Sequence, residues 1–91
     1  MNDYNEAMVY INLDFHSIRV CIKDLNKSII FWKYANDSDE DVSIIYEDTL
    51  RDMVKMAKHL GICQVTVHIR TRTNLSEQII RMIEREGLNV I

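Results

Sequence analysis

The hydrophobic period of this chain changes along its length, and that change limits the folds open to it. Two early segments, 8–14 (MVYINLD) and 18–24 (IRVCIKD), alternate inward and outward side chains with the two-residue period of half-buried strands. A third segment, 28–34 (SIIFWKY), is β-branched and aromatic, a composition typical of strands. Short turns at 15–17 and 25–27 separate these segments. Strands joined by short turns pair antiparallel, so the first third predicts a three-stranded meander.

The next segment has the 3.6-residue period of a helix. Its apolar positions are Tyr46, Leu50, Met53, Val54, Ala57 and Leu60. Ser43 is the predicted N-cap, and Gly61 follows the last apolar position, where a glycine commonly ends a helix. The loop before this helix, 36–41 (NDSDED), is acidic.

The last third of the chain predicts a strand, a second helix and a final strand. QVTVHIRT (64–71) alternates, and the segment from Leu75 to Glu86 places Leu75, Ile79, Ile80, Met82 and Ile83 inward. Asn74 followed three residues later by Glu77 predicts a capping box, and Gly87 ends the helix. Residues 88–91 predict a fifth strand.

The predicted order is therefore β-β-β-α-β-α-β in one α/β domain. Helical crossovers join parallel strands, so the sheet is expected to be mixed. We assign residues 1–7 to a flexible N-terminus and 8–91 to the single domain, because 91 residues suit one core. The polar, acidic start MNDYNEAM predicts neither a secretory signal nor an Arg-rich transit peptide, and no apolar run is long enough to span a membrane.

Residues that could carry catalysis are sparse. Asp14 ends the first strand, where ribonuclease-H-like nucleases hold a metal-binding aspartate, but the fourth strand offers no second carboxylate for Mg²⁺. His16, His59 and His68 show no metal-ligand spacing. We expect no catalytic residue, metal, cofactor or small-molecule substrate, and Asp14 is interpreted as a turn residue. Cys21 and Cys63 are interpreted as buried apolar residues rather than a disulfide.

Charge is distributed unevenly along the chain. Seven of the 14 acidic residues lie in 37–52, although the net charge is only −3. Basic side chains gather on the hairpins and after the fourth strand, where they could reach phosphates. The candidate RNA contacts are Arg19, Lys23, Lys33, Arg70, Arg72 and Arg81. Trp32 or Tyr34 could stack on a base, although Trp32, next to Ile29, Ile30 and Phe31, is assigned to the core.

Two segments resemble one protein family. Residues 11–36 are similar to the first hairpins of the ribosomal small-subunit protein S eleven family, through spaced Phe15, Val20, Ile22, Asp24, Trp32 and Ala35. Residues 61–87 are similar to its second half, where Arg70 falls at the basic residue leaving the fourth strand and Arg81 on a matching helix position. The family's glycine-rich basic loop, its loop before the second helix and its basic tail are shortened or missing here.

The resemblance implies a ribonuclease-H-like topology, as in the ribosomal S eleven and L eighteen proteins. It also implies a non-enzymatic constituent of the small-subunit platform that binds ribosomal RNA and neighbouring ribosomal proteins. Ile, Asn, Lys, Tyr and Phe, which have A/T-rich codons, supply 31 of the 91 residues, which favours an organelle-encoded mitochondrial ribosome over a cytoplasmic one. The alternatives are a ribonuclease-H-like nuclease or inactive relative using Asp14, and a small protein-interaction domain.

Overall fold

The computed structural model of the protein describes residues 5–38, 40–71 and 74–91. They form an α/β domain with one five-stranded mixed sheet and two helices, which confirms the predicted class. The elements in chain order are β1 (Glu6–Leu13), β2 (Ser17–Lys23), β3 (Ile29–Asn36), α1 (Val42–His59), β4 (Gln64–Thr71), α2 (Ser76–Arg85) and β5 (Asn89–Val90).

The strands lie side by side in the order β3-β2-β1-β4-β5. Strands β1, β2 and β3 pair antiparallel, as their short turns predict, whereas β1 pairs parallel with β4 and β4 pairs parallel with β5. Strands β4 and β5 each follow a helix, and each lies parallel to a neighbouring strand. The helix carries the chain back to the end of the sheet where the previous strand began, so the next strand runs in the same direction. The sheet is therefore mixed, with β1 at its centre.

One face of the sheet carries the hydrophobic core. Along β1 the side chains of Ala7, Val9, Ile11 and Leu13 are at most 3% exposed, while the residues between them are half-buried or exposed. Helix α1 packs over β2 and β3, and α2 over β4 and β5, and the two helices also touch each other. The buried residues of the strands and helices form one continuous cluster. Both helices therefore cover the same face of the sheet.

Several sequence-based boundaries and caps are wrong. Strand β1 begins at Glu6, so Glu6 and Ala7 belong to the sheet and not to a flexible N-terminus; residues 1–4 of that segment lie outside the described residues. Asp41, not Ser43, caps α1, because its carboxylate accepts the backbone N–H of Ser43 at 2.9 Å. The capping box at Asn74 does not form, since α2 begins after Leu75 and that end has no side-chain cap.

The burial of two residues also differs from the prediction. Trp32 is 55% exposed, because the two-residue period of β3 turns Phe31 towards α1 and Trp32 away from it. Cys63 is exposed, whereas Cys21 is buried, and both cysteines are free thiols. Burial raises the pKa of the Cys21 thiol.

Polar contacts attach the helices and loops to the sheet. The Tyr46 hydroxyl, on α1, donates to the backbone carbonyl of Asp14, and burial raises the pKa of this phenol. Lys33 on β3 forms an ion pair with Asp52 on α1. Arg51 Nε donates to the carboxylate of Glu86 at 3.1 Å and so connects α1 to the end of α2. This hydrogen bond and the negative charge of Glu86 raise the pKa of the Arg51 guanidinium.

The turn after β1 is attached to the loop after β3 by an ion pair. His16 Nδ1 lies 2.8 Å from Asp37 Oδ2, and the backbone N–H of Asp37 donates to the carbonyl of His16. The hydrogen bond and the negative charge of Asp37 raise the pKa of His16 above 6.5. A raised folded-state pKa means that the folded protein binds the proton more tightly than the unfolded chain. The ion pair therefore stabilises the fold fully below about pH 6.5, and the contribution is lost as the pH rises through the folded-state pKa.

We expect His16→Gln to remove this pH-dependent contribution to stability. The free energy of unfolding, measured by urea titration between pH 5 and 9, should differ most between wild type and variant at the acidic end. Asp37→Asn should have the same effect, and the double variant should lose nothing further. The exposed His59 of α1 supplies the control, because His59→Gln should retain the wild-type profile. A wild-type profile for His16→Gln would contradict the assignment.

Candidate nucleic-acid interface

The face of the sheet opposite the helices is uncovered by any described element. We call it the open sheet face. Its side chains come from four strands: Glu6, Met8, Tyr10 and Asn12 on β1; Arg19, Cys21 and Lys23 on β2; Trp32 and Tyr34 on β3; and Gln64, Thr66, His68 and Arg70 on β4. Aromatic and basic side chains predominate in this set over the single carboxylate, that of Glu6, which distinguishes it from the aliphatic face beneath the helices.

One row across the open sheet face is aromatic. His68, Tyr10, Cys21 and Trp32 are successive cross-strand neighbours. The rings of Tyr10 and His68 are stacked, with centroids 4.7 Å apart and planes 11° from parallel. Lys23 Nζ lies 4.8 Å from the Tyr10 centroid, a cation–π arrangement that holds the ammonium over the face. Trp32, at the β3 end of the row, is 55% exposed.

The neighbouring row is basic. Arg70, Asn12, Arg19 and Tyr34 are successive cross-strand neighbours, and the guanidinium of Arg19 lies 5.8 Å from the Tyr34 centroid. Arg19 and Arg70 stand two strands apart, about 10 Å between Cα atoms at the usual strand spacing. A cleft of about 240 Å³ lies at this end of the face, lined by Asn12, Leu13, Asp14, Ser17, Arg19, Tyr34 and Arg70.

The cations of the open sheet face are not neutralised by the described part of the chain. Among residues 5–38, 40–71 and 74–91, no carboxylate forms an ion pair with Arg19, Lys23 or Arg70. By contrast, Lys33 and Arg51 on the helix side both have acidic partners. Unpaired guanidinium and ammonium groups are the groups that bind phosphate oxygens.

The predicted RNA contacts divide between the two sides of the sheet. Arg19, Lys23 and Arg70 lie together on the open sheet face, as described above. Lys33 lies on the helix side against Asp52, and Arg81 lies on α2 at the groove between the helices. Arg72 falls outside the described residues. The structure therefore brings three of the six predicted residues into one surface.

Sequence reasoning missed Tyr10, Asn12 and His68 as members of this surface. Their alternation with buried residues was visible in the sequence, but alternation gives only the face within one strand. Their meeting with Arg19 and Arg70 depends on the parallel pairing of β1 with β4, which brings together residues 58 positions apart, such as Asn12 and Arg70. A local pattern carries no information on that register.

Asp14 lies in the turn after β1 and has a structural contact there. Its Oδ1 accepts the backbone N–H of Phe15 at 2.8 Å. Within the described ranges, no group of three or more His, Cys, Asp or Glu side chains is arranged to hold a metal ion. The geometry around Asp14 is thus that of a turn-stabilising aspartate.

Comparisons with known proteins add no family. The chain matches no protein-family model, and it matches no curated protein. In the described residues, no helix has the length and apolar character needed to cross a membrane.

Proposed function

We propose that this chain is a non-catalytic constituent of the small ribosomal subunit, where it binds ribosomal RNA through the open sheet face. The observation that supports RNA binding is the combination of unpaired cations, Arg19, Lys23 and Arg70, with exposed rings on the same surface. Cations bind phosphates irrespective of sequence, and aromatic rings stack on unpaired bases. Protein-binding surfaces are instead depleted of charge at their centre.

The resemblance to the S eleven family supports the ribosomal assignment. The first similar segment, 11–36, spans the end of β1, all of β2 and all of β3, and the second, 61–87, spans β4 and α2. Together they include four of the five strands in whole or in part. We propose further that the spatial order β3-β2-β1-β4-β5 corresponds to the ribonuclease-H-like topology of the ribosomal S eleven and L eighteen proteins.

The helix side of the molecule is proposed to face neighbouring small-subunit proteins. Glu40, Asp41, Glu47 and Asp48 are exposed at the start of α1 and in the loop before it. A surface of this charge repels RNA phosphates and attracts the basic surfaces that ribosomal proteins expose. The abundance of residues that have A/T-rich codons supports a mitochondrial ribosome as the location.

Co-sedimentation tests the proposal. The affinity-tagged chain, expressed in the organism that encodes it, should migrate with the small ribosomal subunit through a sucrose gradient at about 0.1 M salt. It should remain there after treatment that separates the subunits, and ribonuclease digestion of the subunits should release it. Migration only at the top of the gradient, with no ribosomal RNA in the affinity eluate, would contradict the ribosomal role.

A further inference from the structure

The open sheet face has a geometry that distinguishes between forms of RNA. We propose that it binds an unpaired RNA strand, with successive bases stacked on Trp32 and Tyr34 and the backbone phosphates held by Arg19 and Arg70. This inference rests on the proposed function and adds the class of RNA, which the basic residues alone do not specify.

The spacing of the two rings selects a strand whose bases are separated. Trp32 and Tyr34 are two residues apart on β3, so their Cα atoms are about 6.8 Å apart along the strand. Stacked bases in a duplex are about 3.4 Å apart along each strand. Two bases can each cover one of these rings only if they are unstacked from each other. An RNA duplex exposes base edges, not faces, and cannot make this contact.

The exposure of the two rings supports their role as base platforms. Trp32 is 55% exposed and Tyr34 45%, although large aromatic side chains are ordinarily buried. Both stand on the outer strand β3, so bases can approach them from the edge of the sheet as well as from above. Tyr10 is less available, because it is stacked on His68 and also has Lys23 over its ring, whereas the ring contact that Tyr34 makes among the described residues is with Arg19, 5.8 Å from its centroid.

The cleft beside Tyr34 suits the phosphate that follows a base stacked there. Arg19 lies against the Tyr34 ring and Arg70 stands on the other side of Asn12, so a phosphate entering the cleft meets two guanidinium groups. The carboxylate of Asp14 also lines the cleft and accepts the backbone N–H of Phe15. Two guanidinium groups against this one carboxylate leave the cleft with a net positive charge.

Binding at the open sheet face can be followed by the fluorescence of Trp32, because it is the single tryptophan of the chain. A single-stranded RNA, for example a uridine decamer, should quench the Trp32 emission in a saturable titration at about 0.1 M salt. A blunt-ended RNA duplex of ten base pairs should leave the emission nearly unchanged. This measurement uses the unmodified protein, so it does not depend on the folding of a variant.

Substitution of each ring then measures its contribution. Trp32→Ala and Tyr34→Ala should each weaken binding of a fluorescein-labelled uridine decamer about tenfold, within the range expected for one base–aromatic stack. Phe15→Ala is the matched control, because Phe15 is 57% exposed but lies in the turn between β1 and β2. Its affinity should equal that of the wild type.

The outcomes separate this inference from the function on which it rests. Co-sedimentation with small subunits, combined with no quenching by the decamer and unchanged affinity in Trp32→Ala, would overturn the single-strand site and leave the ribosomal role. Quenching by the decamer without co-sedimentation would support the site and overturn the ribosomal role. Equal quenching by the duplex would overturn the assignment of an unpaired strand as the ligand.

Discussion

Replacement of Arg19, Lys23 and Arg70 together by glutamine is expected to weaken RNA binding about a hundredfold at 0.1 M salt. Each phosphate contact on a single strand contributes about 0.7 to the slope of log affinity against log salt concentration. One contact then raises the affinity about fivefold at 0.1 M salt, and three contacts raise it about a hundredfold. The measurement is the affinity for a labelled single-stranded RNA between 0.05 and 0.3 M salt, where the slope should fall by about two.

A control with the same change in net charge separates local contacts from overall charge. Lys55, Arg81 and Arg85 lie on the helices, away from the open sheet face. Their joint replacement by glutamine should change the affinity only a few-fold and leave the salt slope nearly unchanged. Because Arg81 is also a sequence-predicted RNA contact, this control tests that residue as well. Equal losses in both triple variants would contradict a binding surface confined to one side of the sheet.

Truncation of Ile11 is expected to be the most destabilising single change in the sheet. Ile11 lies on the central strand β1, is 2% exposed and belongs to the core beneath the helices. Ile11→Ala removes buried methyl groups and leaves a cavity, at a cost of about 3 kcal/mol. The free energy of unfolding of small domains is about 5–15 kcal/mol in total. The midpoint of urea unfolding should therefore fall sharply, and the melting temperature should fall by about 15 °C.

The same substitution on the surface is the control for that experiment. Ile44 is 49% exposed in α1, and Ile44→Ala should change the free energy of unfolding by less than about 0.5 kcal/mol. Alanine is also a better helix former than isoleucine, so any change should favour the fold. If Ile11→Ala unfolds at the same urea concentration as Ile44→Ala, the side of the sheet assigned to the core is wrong.

Most of the fold could be predicted because its signals are local. Alternation located β1, β2 and β4, and β-branched and aromatic composition located β3. The helical period located both helices, and Gly61 and Gly87 each follow a helix with positive φ, a conformation that glycine adopts without strain. The errors fall at element ends. Ser43 and Asn74 each offer a side chain able to cap, and only tertiary packing determines that α1 begins after Asp41 and α2 after Leu75.

The candidate site was harder to predict because it is assembled across strands. The run of Ile29, Ile30, Phe31 and Trp32 is apolar throughout, so it gives no indication of which side chains face the helices. The packing of α1 determines it, since α1 covers one face of β3 and leaves Trp32 exposed on the other. Lys33 illustrates the same limit, because its partner Asp52 is brought to it by the packing of α1.

The two sides of the sheet are proposed to have different partners in the ribosome. The open sheet face has unpaired cations and exposed rings for RNA, and the side with α1 carries exposed carboxylates for basic protein neighbours. The proposed division is compatible with a net charge of −3, because the charge of the contacting surface, more than the total, steers an RNA.

Ultraviolet cross-linking of purified small subunits that contain the chain tests most directly whether the open sheet face lies on RNA. Mass spectrometry of the peptides should find nucleotide adducts on the β3 peptide that carries Trp32 and Tyr34, and none on α1. Adducts confined to residues 40–59, with the β3 peptide unmodified, would contradict the proposed RNA-binding face.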